Sequence, residues 1–205
     1  MPRGANGTAK GRAAVEAALL EAAADLLSER GPKATSVRDI AARAGVNHGQ
    51  VHHYFGGKRG LLKAAMSHLA HDYYERVVEL SEGRSLPVPL PVVDDQRYII
   101  AALRATIEGD MELARIEIEE GVSLARRVLD RMTVVAGRDE PTFEQKLELI
   151  EGTATQLAWT AFEPFLFMLG DVRPDEEDAM RQAFVDRVIQ RAYRRPPGEA
   201  SPAPG

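Results

Sequence analysis

The sequence of 205 residues contains no cysteine. Disulfides and thiolate chemistry are therefore excluded, and a reducing compartment is permitted. No apolar run approaches the roughly 20 residues that a membrane-spanning helix needs. The first residues also lack the apolar segment of a secretory signal. We therefore expect a cytoplasmic protein that makes no use of a membrane.

Motifs of common catalytic sites are missing as well. The chain has no glycine-rich phosphate loop and no nucleophile elbow. Glu117 with Glu120, or Glu112 with Glu119, have spacings usable for acid–base chemistry, but such pairs occur on almost any charged helix. The sequence therefore predicts that the protein is not an enzyme and has no cofactor.

Histidines raise the question of a metal site. His48 and His52 are four residues apart, and His68 and His71 are three apart, which can place two imidazoles on one helical face. No cysteine is available, and the sequence marks no third ligand. We therefore predict no metal site, and we expect His68 and His71 on a helix that connects two parts of the molecule.

Charge is unevenly distributed along the chain. Residues 1–60 carry a balance of +4, whereas residues 61–205 carry −9. A basic head on an acidic body fits nucleic-acid binding by the head alone. An excess of this size in 60 residues also arises by chance, so the split supports other signals and proves nothing by itself.

The stretch TSVRDIAARAGVNHGQVHHYFGGK, residues 35–58, has the pattern of two short helices joined by a tight turn. Ser36 and Asp39 have capping-box spacing, and Gly45 stands where the turn needs a positive φ angle. Asn47 is suited to cap the second helix. In that helix Val51 and the aromatic residue four positions later are available for packing. The other side chains form a polar face of a kind that enters a major groove.

Here the sequence resembles a known family. From Val15 to Leu62 it looks like the DNA-binding domain of TetR-type transcriptional regulators, through "ERG", "ATSVRDIAARAGV", the pattern G-x-V-x-H-Y-F-x-x-K and the following "LL". The family often has Ser-Lys-Gly-Thr where this chain has Asn47 to Gln50, and Tyr where His52 stands. The resemblance therefore implies the docking mode but not the operator sequence.

The resemblance implies an all-α fold. An N-terminal three-helix DNA-binding domain, residues 12–72 with its helix-turn-helix motif at 36–55, is expected to join through a connecting helix to a helical effector-binding and dimerisation domain, residues 73–195. We expect disordered tails at 1–11 and 196–205. Arg3, Lys10 and Arg12 could let the N-terminal arm touch DNA, although a solvated tail is the simpler interpretation.

The resemblance also implies which residues touch DNA. Gln50 can pair bidentately with adenine, and Arg38 can do so with guanine. Alternatively, Arg38 pairs with nearby acids and the histidines form a solvated face. The residues expected near base edges are Arg38, His48, Gly49, Gln50 and His53, and Asn47 is also expected at the DNA. Those expected at phosphates are His52, Tyr54 and Lys58, with backbone amides near Thr35 and Ser36.

Periodicity predicts the helices of the body. We expect helices at 94–109 and 110–132, a loop over 86–93, and a long helix from Thr142 that Pro164 kinks or interrupts. The resemblance implies that the last two helices, about 142–169 and 175–194, form a four-helix bundle in a homodimer. Such a dimer would read a palindromic operator on double-stranded DNA.

The aromatic cluster between residues 159 and 167 has two possible uses. It could line a pocket for a small-molecule effector, or it could be core or dimer surface. The residues proposed to line an effector pocket are Arg115, Glu119, Gln156 and Trp159. The favoured function is a repressor that a small molecule releases from its operator. Alternatives are a TetR-like regulator without such an effector and a helical protein-interaction adaptor.

Overall fold

The computed structural model describes residues 5–81 and 89–192 of the chain. Over these ranges the chain is helical without a β-strand, so the predicted all-α class is confirmed. The helices are α1 (Ala5–Ala34), α2 (Val37–Ala44), α3 (Gly49–Phe55), α4 (Lys58–Leu80), α5 (Arg97–Ile107), α6 (Met111–Ala114), α7 (Ile116–Glu119), α8 (Leu124–Val135), α9 (Phe143–Leu169) and α10 (Glu177–Ala192). A 3₁₀ turn, Leu90–Val92, lies between α4 and α5.

Helix α1 begins before the predicted DNA-binding domain and loses regular helical geometry near its end. It begins at Ala5, within the segment 1–11 for which disorder is predicted, while residues 1–4 and 196–205 lie outside the described residues. The alanine-rich sequence extends the helix back past two glycines, each costing about 1 kcal/mol relative to alanine. At Gly31 the φ angle of 79° ends the regular helix, at a residue type that adopts such angles without steric cost.

The first three helices and α4 share one core. Leu19, Leu26 and Leu27 of α1 are buried against Ile40 of α2 and Val51 of α3. Helix α4 adds buried residues along most of its length, from Leu61 to Val77. Helices α5 to α7 contribute buried residues to the same core. Helix α4 therefore belongs to one core with both the first three helices and the start of the body.

The body differs from the prediction between residues 110 and 132. One helix was predicted there, but α6, α7 and α8 divide the segment and α8 continues to Val135. Gly121 adopts a left-handed φ of 72°, and Ser123 caps α8 by accepting a hydrogen bond from the amide of Arg126. The apolar period continued across this break, which is why periodicity alone gave one helix.

The two last helices agree better with the sequence. Thr142 and Gln145 form a capping box at the start of α9, and α9 runs through Pro164 without interruption. Helix α10 begins at Glu177 with acidic residues in its first turn, as the helix dipole favours. Among the described residues, no helix is long and apolar enough to cross a membrane.

Candidate nucleic-acid interface

Helix α2 is fixed at its start by reciprocal hydrogen bonds. The Ser36 hydroxyl accepts from the amide of Asp39 at 3.1 Å, and the Asp39 carboxylate accepts from the Ser36 amide at 3.3 Å. The hydroxyl of Ser36, also bonded to this carboxylate at 2.6 Å, lowers the pKa of Asp39. Thr35 is buried and donates its hydroxyl to the Gly31 carbonyl at 2.7 Å. The Thr35 side chain is therefore a structural group that faces inward.

The turn between α2 and α3 follows the predicted geometry. Gly45 has φ 67° and ψ 30°, and the Val46 amide donates to the Ala41 carbonyl at 3.0 Å. Asn47 acts one residue earlier than a usual N-cap: its side-chain oxygen accepts from the Gly49 amide at 2.9 Å, and α3 begins at Gly49. This contact fixes where the second helix starts.

Helix α3 presents a polar face to solvent. Val51 is fully buried and Phe55 packs against the core, as predicted. Gln50 is half-buried, and its side-chain oxygen has no hydrogen-bond partner among the described residues. The exposed residues proposed for DNA contact are Ser36, Arg38, Asn47, His48, Gly49, His52 and His53, whereas Tyr54 and Lys58 are half-buried.

The junction of α3 and α4 depends on two glycines. Gly57 is buried with φ 117°, and a Cβ there would lie 3.3 Å from the His52 ring. A Cβ on Gly60 would overlap the carbonyl oxygen of Phe55 and lie 3.1 Å from its carbonyl carbon. The backbones of α3 and α4 therefore touch, and this contact sets the position of Lys58 relative to the polar face.

Arg12 of α1 lies beside α3. Its guanidinium carbon is 5.4 Å from the centre of the Tyr54 ring, and its Nε donates to Glu16 at 3.0 Å. Tyr54 in turn meets the His53 ring edge-on at 4.9 Å between ring centres. Sequence reasoning placed Arg12 in an arm, and no pattern there could have paired it with a tyrosine 42 residues away.

Ion pairs join the start of α4 to the body. Arg59 donates two hydrogen bonds to Asp110, at 2.6 and 2.9 Å, and two to Glu112, one of them at 3.0 Å. Lys63 also pairs with Glu112. The Arg59 guanidinium lowers the pKa of the Asp110 carboxyl. Because Arg59 follows Lys58 directly, this cluster ties a proposed phosphate contact to α6.

His68, His71 and Glu117 also take part in contacts between elements. His68 lies 3.5 Å from a Glu21 oxygen, and His71 lies 3.3 Å from a Glu120 oxygen. Glu117 accepts hydrogen bonds from the hydroxyls of Tyr98 and Ser123. Over residues 5–81 and 89–192 no group of three or more metal-ligating side chains is brought together.

The four residues proposed for an effector pocket do not meet. Arg115 and Glu119 pair with each other at 3.5 Å on the surface, where both side chains are more than half exposed. Gln156 accepts from the Leu90 amide at 2.9 Å and so holds the 3₁₀ turn against α9. Trp159 lies elsewhere on α9 and stacks on Phe184 of α10, with 3.9 Å between ring centres.

Trp159 lines a groove of about 610 Å³. The groove lies among the end of α4, the 3₁₀ turn, α9 and α10. Arg181 stands in it and pairs with Glu163 at 2.9 Å, an arrangement that sequence reasoning missed because the partners lie on different helices. Apolar lining comes from Leu80, Pro89, Pro91, Val92, Val185 and Ile189.

Similarity to known proteins agrees with this geometry. Residues 19–65 match the family model described as bacterial regulatory proteins, tetR family. The HTH-type transcriptional repressor Rv3405c of Mycobacterium tuberculosis is 31% identical over 182 residues, which span 88% of this chain and 90% of the relative. The HTH-type transcriptional regulator BetI of Yersinia pestis is 37% identical over 98 residues, which span 48% of this chain and 44% of BetI.

A solved structure agrees on the fold. The crystal structure of a TetR-family transcriptional regulator from a Rhodococcus species has a TM-score of 0.55 at 18% sequence identity, covering 86% of this chain and 99% of the other. The match to the family model spans the helix-turn-helix, and the similarity to the mycobacterial repressor spans nearly the whole of both chains. This protein therefore belongs to the TetR family of bacterial transcriptional regulators.

Proposed function

We propose that the protein is a homodimeric repressor that binds a palindromic operator in the cytoplasm and leaves it when a small molecule binds the body. The observation that carries this proposal is the polar, solvent-facing side of α3, held by the buried Val51 and by its backbone contact with α4. Polar side chains on a rigid helix preceded by a tight turn suit the major groove. A relative of similar length is named a repressor.

Within this interface, Gln50 is the proposed reader of base edges. Its buried oxygen lacks a partner among the described residues, and an unsatisfied buried acceptor costs about 1–3 kcal/mol. Rotation of the amide toward an adenine would satisfy the oxygen and the nitrogen together. Lys58 carries no base-specific geometry, so its proposed role is a phosphate contact that positions the protein.

The two roles are separable by titration of operator and random duplexes. The operator is first located by gel shift with the DNA upstream of the protein's own and neighbouring genes. Gln50→Ala should lower affinity for the operator by about 1–3 kcal/mol and leave random DNA unchanged. Lys58→Ala should weaken both and reduce the slope of log affinity against log salt by about 0.9. Lys146→Ala, on an exposed position of α9, is the control.

Equal losses on operator and random DNA for Gln50→Ala would contradict its role as a reader. Failure of the wild-type protein to prefer any duplex would contradict the proposed repressor itself.

The domain division at residues 72 and 73 remains a prediction, and it falls inside the continuous helix α4.

The exposed side of α9 supports the proposed homodimer. Phe162, Phe165 and Leu169 are 54%, 51% and 66% exposed, and they recur at steps of three and four on one helical face. Phe143 and Ile150 are further exposed apolar residues nearer the start of the helix. A helix of 27 residues is about 40 Å long, so the stripe is large for a surface that stays in water. A second copy of the chain would cover it.

The groove at Trp159 is the proposed effector site. Its volume lies within the roughly 300–1,000 Å³ of small-molecule pockets, and it combines apolar walls with a few charged groups. Leu80, at the end of α4, lines the groove, while Lys58 begins the same helix. A ligand that displaces the end of α4 would therefore also move the proposed DNA contact. Coupling of this kind is typically worth 1–3 kcal/mol, or about 5–150-fold in DNA affinity.

A further inference from the structure

Arg12 is held over the recognition helix by two contacts that leave its charge in solvent. Its guanidinium lies over the Tyr54 ring, and its Nε is bonded to Glu16 one turn further along α1. The side chain is 61% exposed. An exposed pair of this kind is worth about 0.2–1 kcal/mol, and an exposed cation–π contact about 0.5–1 kcal/mol. Together they orient the guanidinium without burying it.

The orientation leaves hydrogen-bond donors available. A guanidinium has five N–H groups, of which Nε carries one. No residue in the described parts of the chain accepts a hydrogen bond from the two terminal nitrogens of Arg12. A planar fork of free N–H groups matches the oxygens of a phosphate diester.

The position of Tyr54 determines where this fork lies. Tyr54 belongs to α3 and contacts His53, which is exposed on the polar face. The charge of Arg12 therefore continues that face beyond α3 and onto α1. Further along α4, Arg127 of α8 lies 5.1 Å from the ring centre of Tyr74. Tyr74 is 16 residues along α4 from Lys58, about 24 Å at helical rise.

We propose that Arg12 contacts a backbone phosphate of double-stranded DNA beside the groove occupied by α3, and that Tyr54 positions it. This inference rests on the proposed DNA-binding function. Glu16 holds the guanidinium in the free protein, and its negative charge opposes the same phosphate. DNA binding therefore adds a phosphate at the free terminal nitrogens while Glu16 keeps Nε, and the carboxylate weakens this contact by repelling the phosphate.

The test is a salt titration with a random-sequence duplex, followed by fluorescence anisotropy. One phosphate contact steepens the fall of log affinity against log salt by about 0.9, so it makes binding about eightfold tighter at 0.1 M than at 1 M salt. Arg12→Ala should lose this slope and this affinity on every sequence. Arg127→Ala removes the same kind of contact far from α3, and it should change neither quantity.

Glu16→Gln supplies a second variant that keeps Arg12. It should tighten binding, and the gain should be smaller in the double variant that also carries Arg12→Ala. Thermal unfolding of each variant by circular dichroism checks the fold. If Arg12→Ala loses helix, Arg12→Lys takes its place in this comparison. Lysine keeps the charge, so Glu16→Gln should tighten DNA binding in the Arg12→Lys variant as it does in the wild-type protein.

The outcomes separate the inference from the function on which it rests. A slope for Arg12→Ala equal to that of Arg127→Ala and wild type overturns the phosphate contact. If the wild-type protein shows no salt-dependent DNA binding, the proposed function itself is overturned. A reduced slope for Arg12→Ala alone supports the assignment of α1 to the interface.

Discussion

Replacing Gly60 by alanine should destabilise the protein, although the same change inside a helix normally stabilises it. Alanine is favoured over glycine in a helix by up to about 1 kcal/mol. At Gly60, however, the new Cβ would overlap the Phe55 carbonyl oxygen, a backbone atom that cannot rotate aside as the end of a side chain can. Overpacking costs about 1–3 kcal/mol, and a clash with backbone belongs at the upper end of that range.

The expected net loss is therefore about 2 kcal/mol, the clash of about 3 kcal/mol less the helix gain of about 1. For a chain of about 200 residues this corresponds to a fall in Tm of roughly 4–8 °C. DNA affinity should fall as well, because the overlap displaces α3 relative to Lys58. The loss should appear on operator and random duplexes alike, since both the reading face and the phosphate contact are shifted.

A matched substitution gives the opposite sign. Gly152 lies inside α9, and a Cβ there would meet no atom within 4 Å. Gly152→Ala should therefore raise Tm by about 2–4 °C, from a gain of up to about 1 kcal/mol. Both variants are measured by circular dichroism at one protein concentration. If Gly60→Ala is as stable as Gly152→Ala, the backbone contact between α3 and α4 is not as described.

Three further predictions concern the body. The Arg59 guanidinium lowers the pKa of Asp110, so this pair stabilises the fold above about pH 4 and loses its contribution as pH falls through the lowered pKa. Chemical denaturation between pH 7 and pH 2 should therefore show that the free energy of unfolding falls less for Asp110→Asn than for the wild-type protein. Trp159 is the sole tryptophan of the chain, so a ligand in its groove should change the emission spectrum, and an effector that releases DNA without doing so would contradict the site. Phe162→Glu should give a monomeric mass by light scattering, whereas Ile107→Glu, at a residue 80% exposed on α5, should not; a dimeric mass for Phe162→Glu would refute the proposed interface.

The head could be predicted from the sequence because its signals are local. The capping box of Ser36 and Asp39 and the left-handed Gly45 each depend on residues a few positions apart. Helix boundaries in this part agree with the predicted pattern to within a residue or two, except at the start of α1. Local chemistry and tertiary packing favour the same structure here.

The body was harder to predict because its determining contacts are distant. The pairing of Arg59 with Asp110 joins residues 51 positions apart, and neither side chain differs in type from many solvated charges. Along α9, periodicity gave the helix but not its rotation. Trp159 faces a groove and α10, while Phe162, three residues later, faces solvent. Which aromatic lines a pocket depends on neighbours that the local sequence does not specify.

The distribution of buried residues makes the two ends of the molecule unequal. The large core runs from Leu19 to Ile116, whereas within the described part of α8 to α10 the buried side chains are Leu129, Thr133 and Phe167. The last three helices therefore have little core of their own, and covering α9 by a second copy would supply it. Stability gained in this way depends on protomer concentration. Dilution should increase amide hydrogen exchange in α8 to α10 while leaving α1 to α4 protected. Because the proposed palindromic operator is bound by a dimer, the abundance of the protein itself would then regulate how much of it can bind DNA.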